Sequence, residues 1–275
     1  MPQSHHPIET GIRAVVFDWA GTVIDHGSRA PMAAFVEAFR RFGVDLTIAE
    51  ARIPMGLPKR SHIEALLRLP GIATAWSKIR GAVPAETDID AIYDVFVPLN
   101  EASVAHHCDM IPGAVEIVTE LRRRDIRIGS TTGYTRSIMD RVLPLAASQG
   151  YAPDNLVCAD DLPHGRPTPM GMYRCFLDLD VWPAAAVIKV DDTVPGIAEG
   201  VAAGCWTVGV TLSGNSVGLS AAETAALSPE ERQRLHTEAA AALAEAGADF
   251  VVPSVAALLP VVEQINQRLR SAAGR

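Results

Sequence analysis

Asp18 closes the apolar run Ile12–Phe17 and is followed by Trp19-Ala20-Gly21-Thr22. An aspartate at the carboxyl end of a buried strand stands where open α/β sheets bind their ligands; taken singly, it serves equally well as a turn cap. A second run, Ile188-Lys189-Val190, delivers Asp191-Asp192-Thr193. Two adjacent buried carboxylates repel each other unless a cation lies between them, and an all-oxygen site suits Mg²⁺; for one of the pair a helix cap would suffice. A third run, Ile126–Gly129, opens into Ser130-Thr131-Thr132-Gly133-Tyr134. Its hydroxyls and backbone N–H groups can cradle an anionic oxygen group or simply start a helix. The segment Gly165-Arg166-Pro167-Thr168-Pro169 holds one cation in a loop whose direction the prolines restrict.

One further residue offers a different chemistry. In Pro54-Met55-Gly56-Leu57-Pro58-Lys59-Arg60-Ser61-His62 the helical pattern breaks and restarts at Pro58. Lys59 then sits in a first helical turn, where the positive end of the helix and the adjacent Arg60 disfavour an ammonium ion. A lysine of lowered pKa can attack a carbonyl and form a Schiff base. His62, three residues on, shares a helix face with it and can exchange protons. The alternative is a solvated surface lysine.

The elements that must position these groups are legible from the apolar pattern. Ile12–Phe17, Ile126–Gly129, Ala186–Val190, Trp206–Val210 and Phe250–Val252 read as buried parallel strands, with helices such as Gly113–Arg124 and Pro195–Ala203 between them. The expected fold is a doubly wound α/β sheet. Between Asp25 and His107 nearly everything reads as helix: Pro31–Phe42 aligns Phe35, Ala38, Phe39 and Phe42, and Thr87 with Asp90 reads as a capping box. That stretch is long enough for a separate helical cap (26–105) on a core formed by 1–25 and 106–275. Ala221–Gly247 reads as one long surface helix.

Taken together, and in the superfamily's order along the chain, the four segments resemble the four motifs of the haloacid dehalogenase superfamily, over Ile12 to about Gly209. The resemblance implies that Asp18 is a nucleophile toward phosphorus, that Ser130 and Thr132 bind the phosphoryl group, that Arg166 is the cation beside it, and that Mg²⁺ is held by Asp18, the Ala20 carbonyl and Asp192, with Asp191 behind them. Phosphatases of the superfamily carry an acid two residues after the nucleophile, where this chain has Ala20. Losing a general acid typically costs about 10²–10⁴-fold with an alkoxide leaving group. The segments FDWAGT, PMGLPKRSH, GSTTGYTR, GRPTP and DDTVPG together are similar to the superfamily's phosphonatases, which split the carbon–phosphorus bond of phosphonoacetaldehyde in 2-aminoethylphosphonate degradation. That resemblance implies a Lys59 imine, an Asp18 aspartyl phosphate, His62 as proton shuttle, and Met55, Gly56, Gly133 and Tyr134 lining the cleft under the cap. It also implies a homodimer. Ser28 stands where a relative has cysteine.

Three other readings compete. A phosphatase or phosphomutase of the same superfamily should carry an acid at Ala20; a lysine-dependent aldolase would leave Asp18, Asp192 and Arg166 without a task; a phosphate-binding module would need neither Asp18 nor Lys59. Composition narrows the classes further. A chain of 275 residues with 48% hydrophobic residues suits a globular protein, and a formal charge of −8 disfavours a nucleic-acid surface. Cys108, Cys158, Cys175 and Cys205 show no paired spacing, the first residues lack a signal-peptide pattern, and no apolar run reaches membrane-spanning length, so a small-molecule enzyme of the cytoplasm is expected.

Overall fold

A computed structural model describes residues 11–273. Five parallel strands form one sheet, β1 (Ala14–Phe17), β2 (Arg127–Ser130), β3 (Val187–Asp191), β4 (Trp206–Val210) and β5 (Phe250–Val252), in the order β2-β1-β3-β4-β5. Alternation along β1 explains why its run is apolar throughout. Val15 and Phe17 enter one core with Ile128, Val190 and Val208, whereas Ala14 and Val16 enter another with Met172, Cys175 and Val187. β1 is an interior strand, paired with β2 through Phe17–Ser130 and with β3 through Phe17–Val190. The carboxyl ends of the three strands are therefore level, and Asp18, Thr131 and Asp191 emerge side by side.

Between β1 and β2 lie α1 (Ala30–Arg41), α2 (Ile48–Arg52), α3 (Lys59–Arg68), α4 (Pro70–Arg80), α5 (Glu86–Val104) and α6 (Ala114–Arg123). The first five share a hydrophobic cluster of their own, including Phe35, Phe39, Ile63, Leu66, Trp76 and Phe96. Phe35 is its hub, stacked on Phe96 at 4.2 Å and on the His62 ring at 4.0 Å between centroids. The remaining helices are α7 (Arg136–Ser148), α8 (Met170–Leu179), α9 (Val194–Ala203), α10 (Ala221–Ala225), α11 (Pro229–Glu245) and α12 (Leu258–Ala273). Among the described residues no helix is long and apolar enough to cross a membrane.

Two local expectations are corrected. The stretch Ala221–Gly247 is two helices: Ser228 accepts from the Glu231 N–H and Glu231 reaches back to the Ser228 N–H, so α11 starts afresh at Pro229. At the start of α5 the carboxylate that reaches back is Asp88, to the Ala85 N–H at 2.8 Å, while Asp90 points outward to Arg60. Thr87 and Asp90 form no capping box because the helix begins at Glu86.

Candidate active site

A cavity lies where the loop before α3 meets the strand ends. Asp18, Ala20, Ser28, Met55, Gly56, Lys59, Thr132, Gly133, Tyr134, Arg166 and Thr193 line it. The close approach of the two halves requires glycine: Gly56 has φ +94°, and a Cβ there would lie 2.3 Å from Thr193 Oγ1.

At the strand ends the charges are buried and interlocked. Arg166 donates to Asp18 Oδ1 at 2.8 Å and lies 3.3 Å from Asp191 Oδ2 and 3.1 Å from Glu199 Oε2. Lys189, fully buried in β3, extends Nζ to Asp191 at 3.1 Å, to Glu199 at 3.3 Å and to the Thr131 hydroxyl at 2.6 Å. Thr131 also accepts from Arg166 at 2.9 Å, so it joins both cations. Lys189, Glu199 and Thr131 were absent from the expected site. The signal was available in part: Lys189 is two residues before Asp191 and so faces the same side of the strand.

Asp18, Asp191 and Asp192 bring carboxylate oxygens within 4.8 Å of one another. Their partners differ. Asp191 has Arg166 and Lys189. Asp192 has only the Thr22 hydroxyl at 3.1 Å and the Asn215 N–H at 2.7 Å, neither charged. Burial, reinforced by Asp18 and Asp191, pushes the Asp192 carboxyl well above the usual range, and burial with Asp191 pushes Asp18 to about 6. A carboxylate buried beside two others with neutral partners fits a hard divalent cation, whose charge would hold all three ionised.

Lys59 opens α3 and is 4% exposed. Its Nζ meets Met55 Sδ at 3.8 Å and the ring faces of Tyr134 and Phe35 at 5.1 and 5.8 Å from their centroids. Burial lowers its pKa from 10.5 to about 8, opposed chiefly by Asp18. The expected contribution of Arg60 is not the cause: that side chain turns to solvent and pairs with Glu86 and Asp90, each at 2.7 Å. His62 is fully buried behind Lys59, without lining the cavity. Its Nε2 meets the Ala51 carbonyl at 2.8 Å, which makes Nε2 the protonated nitrogen and leaves Nδ1, which has no partner among the described residues, as the base. Burial and the nearby Lys59 hold the imidazole neutral, well below its ordinary pKa. The Tyr134 hydroxyl likewise has no partner among the described residues.

Ser130 is apart from this group. It ends β2 fully buried, and its hydroxyl accepts the Trp19 indole N–H, turned into the core. Thr132 is the neighbouring hydroxyl that reaches the cavity.

A family model for haloacid dehalogenase-like hydrolases matches residues 12–204. Phosphonoacetaldehyde hydrolases of Paraburkholderia phytofirmans and Paraburkholderia xenovorans are each 52% identical over 258 residues, covering 94% of this chain and 97% of theirs. The crystal structure of a phosphonoacetaldehyde hydrolase-like protein from Oleispira antarctica matches with a TM-score of 0.93 at 44% identity over 94% of each chain.

Proposed function

The chain belongs to the haloacid dehalogenase-like hydrolases and, among them, to the phosphonoacetaldehyde hydrolases, and we propose that it hydrolyses phosphonoacetaldehyde to acetaldehyde and phosphate through an imine on Lys59 and a phosphoryl group carried by Asp18. The observation that carries this reading is one cavity lined by Asp18, Arg166 and a buried lysine of pKa about 8. An oxyanion-binding cation and an amine in one cavity suit a substrate with an anionic group and a carbonyl. The division into a helical cap (26–105) and a core (1–25 and 106–275) is part of the same proposal, supported by the separate cap cluster around Phe35.

A carbon–phosphorus bond resists cleavage because carbon must leave as a carbanion. The neutral amine of Lys59 adds to the aldehyde, and His62 Nδ1 is the base available to shuttle protons as water is lost. The resulting iminium lies next to the departing carbon, which then leaves as a neutral enamine. Asp18 attacks phosphorus as the bond breaks, while Arg166 and the Thr132 hydroxyl hold the phosphoryl oxygens. Protonation and hydrolysis of the enamine free Lys59 and release acetaldehyde; water then cleaves the aspartyl phosphate. Asp18, the Ala20 carbonyl and Asp192 would hold Mg²⁺, which would supply positive charge against the developing phosphoryl charge. Ala20 is consistent with this route, since an enamine carbon needs an electron sink where a phosphatase's alkoxide needs an acid.

Borohydride added with phosphonoacetaldehyde should give one reduced adduct, on Lys59, and Lys59→Arg should lose both adduct and turnover. An adduct on another lysine would refute the assignment, and faster phosphate release from ordinary phosphomonoesters would refute the substrate.

A further inference from the structure

Asp18, Lys59, Thr132 and Arg166 are each at most 6% exposed. The segment carrying Met55, Gly56 and Lys59 packs against the strand ends over them. Arg52, the last residue of α2, ties that segment down. Its Nη1 donates to the Gly27 carbonyl at 2.7 Å, to Asn215 Oδ1 at 3.0 Å, to the Asn215 carbonyl at 3.2 Å and, at longer range, to the Ser28 carbonyl at 3.4 Å. Its Nη2 donates to the Gly218 carbonyl at 3.3 Å, and Asn215 Nδ2 donates back to the Arg52 carbonyl at 3.3 Å.

The receiving surface is shaped for this guanidinium. Gly218 has φ +70°, and a Cβ there would lie 2.7 Å from Arg52 Cζ. Every acceptor is a neutral oxygen. A guanidinium held by such oxygens exchanges them for water on opening with less penalty than a buried ion pair would carry, which suits a contact made and broken in each cycle.

Asn215 has a second role on its other side. Its main-chain N–H donates to Asp192 Oδ2 at 2.7 Å, and the adjoining Gly214 lies so close that a Cβ there would be 2.7 Å from Asp192 Cβ. The loop that Arg52 grips is therefore the loop that orients Asp192. We propose that Arg52 is a latch and a positioning residue: its docking on Asn215 sets the Asp192 carboxylate, so that closure of the lysine-bearing segment and divalent-cation binding strengthen each other. Linkage makes the effect reciprocal, since whatever closure adds to cation affinity the cation adds to closure. The inference rests on the reading of Asp192 as a cation ligand.

The test uses the full chain stripped of metal, with Mn²⁺ as probe and free Mn²⁺ read by electron paramagnetic resonance. Arg52→Gln and Asn215→Ala should each raise the Mn²⁺ Kd about tenfold, equal to about 1.4 kcal/mol. The double variant should be no weaker than either single one, because both cut the same connection. A Kd within twofold of the parent in both variants, or additive losses, overturns the latch. Melting in chelator checks the fold; if Arg52→Gln melts early, Asn215→Ala carries the comparison alone, as it retains the N–H that meets Asp192. Asp192→Asn separates the two failures. If it binds Mn²⁺ normally, the reading of the cation site fails and the latch with it; if it loses binding while Arg52→Gln does not, only the latch fails.

Discussion

The pKa of Lys59 gives the sharpest test of the proposed chemistry. Burial brings it from 10.5 to about 8, against the pull of Asp18. At pH 7 that shift leaves roughly a tenth of the amine neutral, a gain of roughly 300-fold over an ordinary lysine. Imine formation follows the neutral amine, so trapping by borohydride in metal-free buffer should rise about tenfold per pH unit up to about pH 8 and then level off. Asp18→Asn removes the largest charge that favours the ammonium, and the levelling point should move to lower pH. Adding Mg²⁺ to the parent enzyme brings positive charge near Lys59 and should move it the same way. Intact-mass measurement of the reduced adduct across pH 6–11 reads all three. A rate that keeps climbing past pH 10, or an Asp18→Asn profile displaced to higher pH, would refute the reasoning.

Lys59→Met should stabilise the fold at neutral pH by on the order of 3 kcal/mol, because a buried amine of lowered pKa is a cost. The unfolded chain holds more protons than the folded one between about pH 8 and 10.5, so the parent's stability should rise with pH through that window and the variant should lose this rise in denaturant melts. Ala20→Asp puts an anion into the cavity, which should raise the Lys59 pKa, cut carbon–phosphorus cleavage about tenfold or more and introduce p-nitrophenyl phosphate hydrolysis; unchanged selectivity would argue against the role given to the missing acid. Gly56→Ala places a methyl 2.3 Å from Thr193 Oγ1 at a φ of +94° and should lower kcat/KM about 10²-fold and the melting temperature with it. Removing divalent cations with chelator should abolish phosphate release, and Mg²⁺ at about 100 times its Kd should raise stability by about 2.7 kcal/mol.

Strand ends were the most legible part of this molecule. Asp18 and Asp191-Asp192 each terminate an apolar run, and parallel register brings such ends level whatever the helices between them do. Side-chain direction at the end of a strand was not legible. In Ser130-Thr131-Thr132 three hydroxyls compete for similar places, and the outcome depends on neighbours distant in sequence: the Trp19 indole claims Ser130, Arg166 and Lys189 claim Thr131, and Thr132 is left for the cavity. Arg60 shows the same limit. Its place beside Lys59 in sequence suggested a charge effect, but Glu86 and Asp90 on α5 draw it to the opposite side. By contrast, the break before α11, missed in the reading of Ala221–Gly247 as one helix, does carry a local signal, since Ser228-Pro229-Glu230-Glu231 is a helix start within an alanine-rich run.

Two fully enclosed lysines now do opposite work in one site. Lys189 ends among Asp191, Glu199 and the Thr131 hydroxyl, all within 3.3 Å, and its charge balances carboxylates. Lys59 ends on a sulfur and two ring faces, which stabilise an ammonium ion less than water does, and it yields its proton. Exchanging those surroundings would exchange the roles, so residue type alone could not assign them. The proposed mechanism sets Lys59 and Asp18 in conflict. Asp18 must be ionised to attack phosphorus, yet an ionised Asp18 raises the pKa of Lys59 and suppresses the amine. Arg166 at Asp18 opposes that coupling, and a divalent cation beside Asp192 would oppose it further, because positive charge there favours both the carboxylate and the neutral amine.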